Sequence, residues 1–242
     1  VLGAAAGSAD LLAGRGRRHA DPAARPRAAV EAFLGAEQAG DHLASYRLLS
    51  GPARRELSPA AWGRQRSELP AVTGFEVERV EGSVVVAVVR HEPGLDPFIG
   101  LSPAAERQRW QARREGGGWL LEATPAVEPL LPPDDTAPAA ALAWAGALQG
   151  CDAEKARGHQ AVAVLYGTSD VPATLCRRDA ALAVGPPERL AGGPSSQELV
   201  AQYGTEALEW ARAVAVLGGE RPFHVVLAPI GSVWQVVGVF EP

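Results

Sequence analysis

ERQRWQARREGGGWLLEATP, residues 106–125, places two runs of alternating apolar and polar residues around Gly116-Gly117-Gly118. Alternation with a period of two sends one face of a strand inward, and glycine supplies the positive φ of a tight turn, so the stretch predicts a β-hairpin. RPFHVVLAPIGSVWQVVGVFEP, residues 221–242, is a looser echo: a strand, a turn at Gly231-Ser232, Trp234 just after it, and a closing strand that ends in proline. Each hairpin closes a unit of roughly a hundred residues that begins with an amphipathic helix, and domains of that size bury a core of their own. The expectation is therefore a tandem repeat.

Outward from the first hairpin, helices are predicted from about Pro26 to Gly40 (stripe Val30, Phe33, Leu34), from Asp41 with Leu43, Tyr46, Leu48 and Leu49 inward, and from Ser58-Pro59 to about Leu69. Gly51-Pro52 is read as a helix stop, and Pro70 and Gly74 as breaks. Strands follow around Phe75–Val80 and over residues 84–90, VVVAVVR, a β-branched run suited to a central strand. Residues 93–103 are too rich in Pro and Gly for regular structure.

LLPPDDTAP, residues 130–138, reads as a linker that neither packs nor pairs. Beyond it come a helix over 137–149 (Ala141, Trp144, Ala145, Leu148), one capped by Asp152 and running to Tyr166, and an insertion over 168–194. Ser195-X-X-Glu198 is a capping box for a helix to Tyr203. Strands are predicted near 207–217, 223–228 and 233–240. Three helices and then about four strands predict α+β architecture, with helices on one face of a curved antiparallel sheet.

The 242 residues carry a formal charge of −5, concentrated in the C-terminal half, and no basic block has the aromatic interleaving of a nucleic-acid surface. Arg107, Arg109, Arg113 and Arg114 read as a solvated strand face. The sequence has no methionine, which fits a mature form or a fragment. VLGAAAGSADLLAG, residues 1–14, is too short to span a bilayer and reads either as the tail of a signal or membrane segment or as an alanine-rich terminus. Cys151 and Cys176, without other ligands at metal spacing, suit one disulfide in an oxidising compartment or two buried thiols.

The segments Gly40-Asp41…Tyr46-X-Leu48-Leu49-Ser50 and Ser58-Pro59…Trp62, with the Trp110…Trp119 hairpin, resemble the nuclear transport factor 2-like (SnoaL-like) superfamily over residues 27–125. Gly150-Cys151-Asp152 and Trp234 resemble it over 137–241. The resemblance implies two tandem cone-like domains, at 27–128 and 137–242, after an N-terminal remnant at 1–26 and around a linker at 129–136. It also implies a bacterial envelope protein, secreted or held by an anchor upstream of Val1.

The cones of that superfamily enclose a pocket, for which Asp41, Tyr46, His91, Trp110, Trp144, Tyr203 and His224 are the candidates here. His91 and His224 lie on predicted strands, where Asp96 or Tyr203 would complete an acid–base pair. Asp41 is read first as a helix cap, the six tryptophans first as core. No nucleophile elbow, phosphate loop, metal ligand set or cofactor motif is present in the sequence, and no catalytic residue is carried over from the family. The expected function is a non-enzymatic extracytoplasmic module for protein contact or assembly. The alternative is a binder of a small apolar ligand, or a cone-type isomerase or epoxide-opening enzyme using a carboxylate with His or Tyr.

Overall fold

A computed structural model describes residues 25–241 apart from 168–170, 177–178, 191, 193 and 219–220. The stretch read above as a signal or anchor remnant lies outside the described residues. The chain is α+β, with helices followed by antiparallel sheets. In the N-terminal half, α1 (Pro26–Gln38), α2 (His42–Arg47), α3 (Gly51–Glu56) and α4 (Pro59–Ser67) precede β1 (Val72–Glu81), β2 (Val84–His91), the small hairpin β3 (Gly94–Asp96) and β4 (Gly100–Ser102), then β5 (Ala105–Glu115), β6 (Gly118–Leu121) and β7 (Ala126–Pro129). The sheet order is β1-β2-β5-β6, and β7 also pairs with β5.

The C-terminal half opens with a 3-10 turn, Asp134–Thr136, and continues through α5 (Ala137–Gln149), α6 (Ala153–Gly158), β8 (Tyr166–Gly167), α7 (Val171–Leu175), β9 (Ala183–Arg189), α8 (Pro194–Tyr203), α9 (Ala207–Trp210), β10 (Arg212–Leu217), β11 (Phe223–Ile230) and β12 (Val233–Phe240). Its sheet runs β8-β12-β11-β10-β9, with β8 parallel to β12.

Proline and glycine account for several departures from the sequence reading. Gly51-Pro52 starts α3 instead of stopping a helix: Ser50 caps it, and Pro52 sits in the first turn, where a missing N–H has no partner to lose. Gly74 lies inside β1 at a register shift, and β9 carries Pro186-Pro187 because it is an edge strand. Residues 93–103, expected to be irregular, hold the β3–β4 hairpin. Leu43, expected inward, is 50% exposed.

In the C-terminal half, α6 stops at Gly158, well short of Tyr166, which instead begins β8. Ser195 lies within α8 and is not its cap; Ser196 Oγ donates to the Gly192 carbonyl at 3.0 Å. The strand expected from 207 begins at Arg212, after the short helix α9. The stretch read as an unpaired linker is tied down: Trp234 Nε1 donates to the Pro133 carbonyl at 3.0 Å, and Arg212 Nε to Asp134 Oδ1 at 2.9 Å. β7, which ends where the expected linker begins, also pairs into the first sheet.

Three cores follow from these faces. Phe33, Leu34, Trp62, Trp110 and Leu121 fill the space between α1, α4 and the first sheet. Trp144, Phe223, Trp234 and Val236 do so between α5 and the second. On the other face of the second sheet, Val226, Ala228 and Val237 pack with α8 and α9, and Leu95 and Leu101 of the β3–β4 hairpin join them.

One backbone pattern occurs at two places, with a slightly longer spacing between the hairpins than between the helix ends. Gly40 and Cys151 have positive φ, 67° and 57°. Asp41 N–H bonds the Ala36 carbonyl and Asp152 N–H the Ala147 carbonyl, each at 2.9 Å, the wrap of a Schellman-type helix end. Asp41 accepts from Ala44 N and Asp152 from Lys155 N, each at 2.9 Å. Leu49 then bridges Leu121, and Gln160 bridges Val236, both in parallel. The hairpin pairs Ala112↔Leu121 and Arg114↔Trp119 correspond to Leu227↔Val236 and Pro229↔Trp234. Both aspartates cap six-residue helices, so Asp41→Ala and Asp152→Ala are each expected to lower unfolding free energy by about 1 kcal/mol in urea titrations. Equal losses are expected; no loss at either would show that its cap contributes nothing.

Candidate functional site

Along β5, Glu106, Gln108, Trp110 and Ala112 share one face by strand alternation; on β2, Val85, Ala87, Val89 and His91 do. Trp110, Ala112, Val85, Ala87 and Val89 belong to the core beneath α1, so this face looks toward the helices. Its apolar end is closed by rings: Phe33 lies 4.6 Å from Trp110 and 6.1 Å from Trp62, centroid to centroid. Its other end is polar.

There Trp110 Nε1 donates to Gln108 Oε1 at 2.9 Å, Gln108 Nε2 donates to Glu106 Oε1, and His91 Nε2 lies 3.1 Å from the same oxygen. Arg66 reaches in from α4, its Nε donating to Glu37 Oε2 at 2.5 Å and its guanidinium carbon 5.5 Å from the Trp62 ring centre. A cavity of about 200 Å³ lies over Arg66, His91, Glu106 and Gln108, walled by Leu69, Pro70, Ile99 and Leu101. Burial pushes the Glu106 carboxyl up, but hydrogen bonds from His91 and Gln108 and the charges of His91 and Arg66 outweigh it and hold Glu106 below the usual carboxylate range.

The sign of the pH dependence follows. A carboxyl whose folded pKa is depressed adds stability above its unfolded value, about 4.3, and that stability is lost as pH falls through the folded value. Glu106→Gln is therefore expected to be less stable than the parent at pH 7, with the gap closing below about pH 4. A gap that stays constant in a denaturation series from pH 7 to pH 3 would show that the neighbours do not stabilise the charge.

The candidates named from the sequence scatter. His91 and Trp110 belong to the polar chain. Asp41 caps α2, and the Tyr46 hydroxyl donates to the Leu57 carbonyl at 2.9 Å, so both act on the helices. Trp144 is fully buried beside Phe223, 6.5 Å between centroids. His224 falls on the opposite face of β11 from Phe223 and Val225, away from α5. Tyr203 meets Asp96 across the two halves: burial first, then the Asp96 charge, pushes its hydroxyl pKa up. Arg66, Glu37, Glu106 and Gln108 were not singled out from the sequence. For Glu106 and Gln108 the signal was present, since polar residues in phase with Trp110 point inward.

Cys151 and Cys176 form a disulfide, which points to an oxidising, extracytoplasmic environment. Among the described residues no helix is long and apolar enough to cross a membrane, and no group of three or more His, Cys, Asp or Glu is placed to hold a metal. A larger cleft of about 570 Å³ lies between the halves, with Glu106, Val127 and Glu128 on one side and Glu206, Trp210 and Arg212 on the other.

No family model and no curated protein matches the chain. Among solved structures it is similar to the crystal structure of a cystatin-like protein from Ruminococcus gnavus, at 10% identity and a TM-score of 0.21, over 90% of this chain and 75% of that one. A likeness at that score carries no argument about fold or function.

Proposed function

We propose that the chain is a tandem pair of nuclear transport factor 2-like units forming a non-enzymatic protein-contact or assembly module of a bacterial envelope, exported and either secreted or anchored. The recurrence of the Gly40-Asp41 and hairpin bonding patterns at Cys151-Asp152 and Trp234 supports the pairing. The disulfide supports export.

The observation that carries the functional reading is the aromatic filling of both helix-facing sides. Phe33, Trp62 and Trp110 occupy one, and Trp144, Phe223 and Trp234 the other. A cone that is filled does not enclose a large substrate, whereas the wide cleft lies between the halves, open to a macromolecule. Photo-crosslinking from a benzophenone side chain at Val127 or Glu206, both lining that cleft, tests the reading in envelope preparations of the source cell. One discrete adduct from these positions, and none from the exposed Leu43, is expected. A protein that yields no adduct and instead carries a tightly held apolar molecule in native mass spectrometry would overturn it.

A further inference from the structure

The two halves supply a control for each other. Where their backbone bonding coincides, several core positions stay apolar: Phe33 corresponds to Trp144, Ala112 to Leu227, Leu121 to Val236. Besides Ser45, which stands where the C-terminal half has Ala156, two buried polar residues stand where that half has large apolar ones. Glu37, 6% exposed, stands where the C-terminal half has Leu148, and Gln108, 6% exposed, stands where it has Phe223. Leu148 and Phe223 both belong to the core beneath α5, so this backbone closes well on apolar side chains. A buried carboxylate and a buried amide cost desolvation that the fold does not require. Both help hold Arg66 and Glu106 in place: Glu37 takes Arg66 Nε, and Gln108, with His91, bonds Glu106.

The pair so held has complementary chemistry. The guanidinium of Arg66 is bonded through Nε, and its two η nitrogens make no hydrogen bond to a described residue. Glu106 takes both its bonds, from His91 and Gln108, on Oε1, leaving Oε2 without one among the described residues. Arg66 and Glu106 thus both line one cavity of about 200 Å³, whose wall includes Leu69, Pro70, Ile99, Leu101, Ser102 and Pro103. That volume lies below the ~300–1,000 Å³ of sites for drug-sized ligands. Guanidinium pairs with carboxylate in bidentate geometry, and a carboxylate accepts from ammonium or hydroxyl.

We infer that this cavity binds a free amino or hydroxy acid with a short aliphatic side chain, its carboxylate on Arg66, its ammonium or hydroxyl on Glu106, and its side chain against the leucine, isoleucine and proline wall. The site lies in the N-terminal half alone, because the C-terminal half has Phe223 and Leu148 where the holding groups would be. The inference goes beyond the protein-contact reading and does not depend on it; the crosslinking experiment can fail while this one succeeds, and the reverse.

Amide-detected NMR titration of the full chain with four probes tests it: L-leucine, L-2-hydroxy-4-methylpentanoate, 4-methylpentanoate and 3-methylbutylamine. At least one of the first two is expected to bind tenfold or more tightly than both single-ended probes, shifting Arg66, His91 and Glu106. Whichever of the two binds tighter identifies the donor that Glu106 reads. Gln108→Phe with Glu37→Leu, which copies the C-terminal half, is expected to weaken binding at least tenfold. Ile99→Trp, on the exposed hairpin, narrows the cavity without entering a core and is expected to do the same should the double variant not fold. Equal binding of one- and two-ended probes, no saturable shift with any probe, or unchanged binding by a folded variant would overturn the inference.

Discussion

Gly167→Ala is expected to lower the unfolding free energy by about 3 kcal/mol or more, the sum of a left-handed backbone penalty and a packing clash. Gly167 has φ +91°, and a Cβ built there meets the Val239 carbonyl oxygen at 2.0 Å and its carbon at 3.0 Å. Neither atom yields without pulling β8 off β12, where Val239↔Gly167 and Gly238↔Tyr166 are the two register pairs. The partner position is tight for a different reason. A Cβ on Gly238 falls 2.3 Å from Tyr166 Cε1 and 2.4 Å from Cζ, so the ring lies flat on the glycine. The ring also meets Phe240 edge-on at 5.0 Å between centroids.

Gly238→Ala is therefore expected to cost about 2 kcal/mol, within the range for overpacking, and to be less harmful in a Tyr166→Leu background. Urea denaturation of the four proteins in that cycle measures the coupling. Strict additivity would mean that ring and glycine do not pack as described. Gly167→Ala, whose clash is with backbone, has no such side-chain rescue. Equal stability of Gly167→Ala and the parent would sink the account of β8.

Which elements were legible follows from what interrupts them. α5 and β12 fall where the sequence placed them because an apolar run between turn residues spans each of them, interior Gly146 and Gly238 included. α3, β9 and the β3–β4 hairpin were missed for one reason. Proline and glycine break an element in its interior yet are tolerated in a first helical turn, on a sheet edge, or at a tight turn, and only the assembled fold says which applies. Pro187 opposite Val214 on the outermost strand is such a case. The site divides in the same way. His91 drew notice as a strand histidine, and the phase Glu106-Gln108-Trp110 put two polar residues on an inward face. Arg66 arrives from α4 and Glu37 from α1, so their meeting is tertiary and no spacing announces it. The wide cleft, built by β7 and the α9–β10 corner, was equally invisible, because it depends on how a proline-rich connection is pinned by Arg212 and Trp234.

Removing the disulfide is expected to cost about 3 kcal/mol by the chain-entropy argument for a loop of this length, a sequence separation of 25 residues. What it ties matters as much as the loop. Cys151 sits at the turn between α5 and α6, and Cys176 directly follows α7, whose Val171 and Leu175 are buried in the same core as Trp144. Freed of the bridge, α7 is the element expected to lose hydrogen-exchange protection first.

Cys151 also adopts φ 57°, a conformation that costs a residue with a Cβ about 1 kcal/mol relative to glycine, and glycine is what Gly40 supplies at the corresponding turn of the first half. The two effects separate in a series of three variants. Cys176→Ser and Cys151→Ala lose the bridge and keep the strained Cβ; Cys151→Gly loses the bridge and relieves the strain. The expected order of urea midpoints is parent, then Cys151→Gly, then the other two together, with Cys151→Gly ahead of Cys151→Ala by about 1 kcal/mol. If Cys151→Gly matched Cys151→Ala, the turn would carry no left-handed penalty. If all three matched the parent, the bridge would not hold α7 in place.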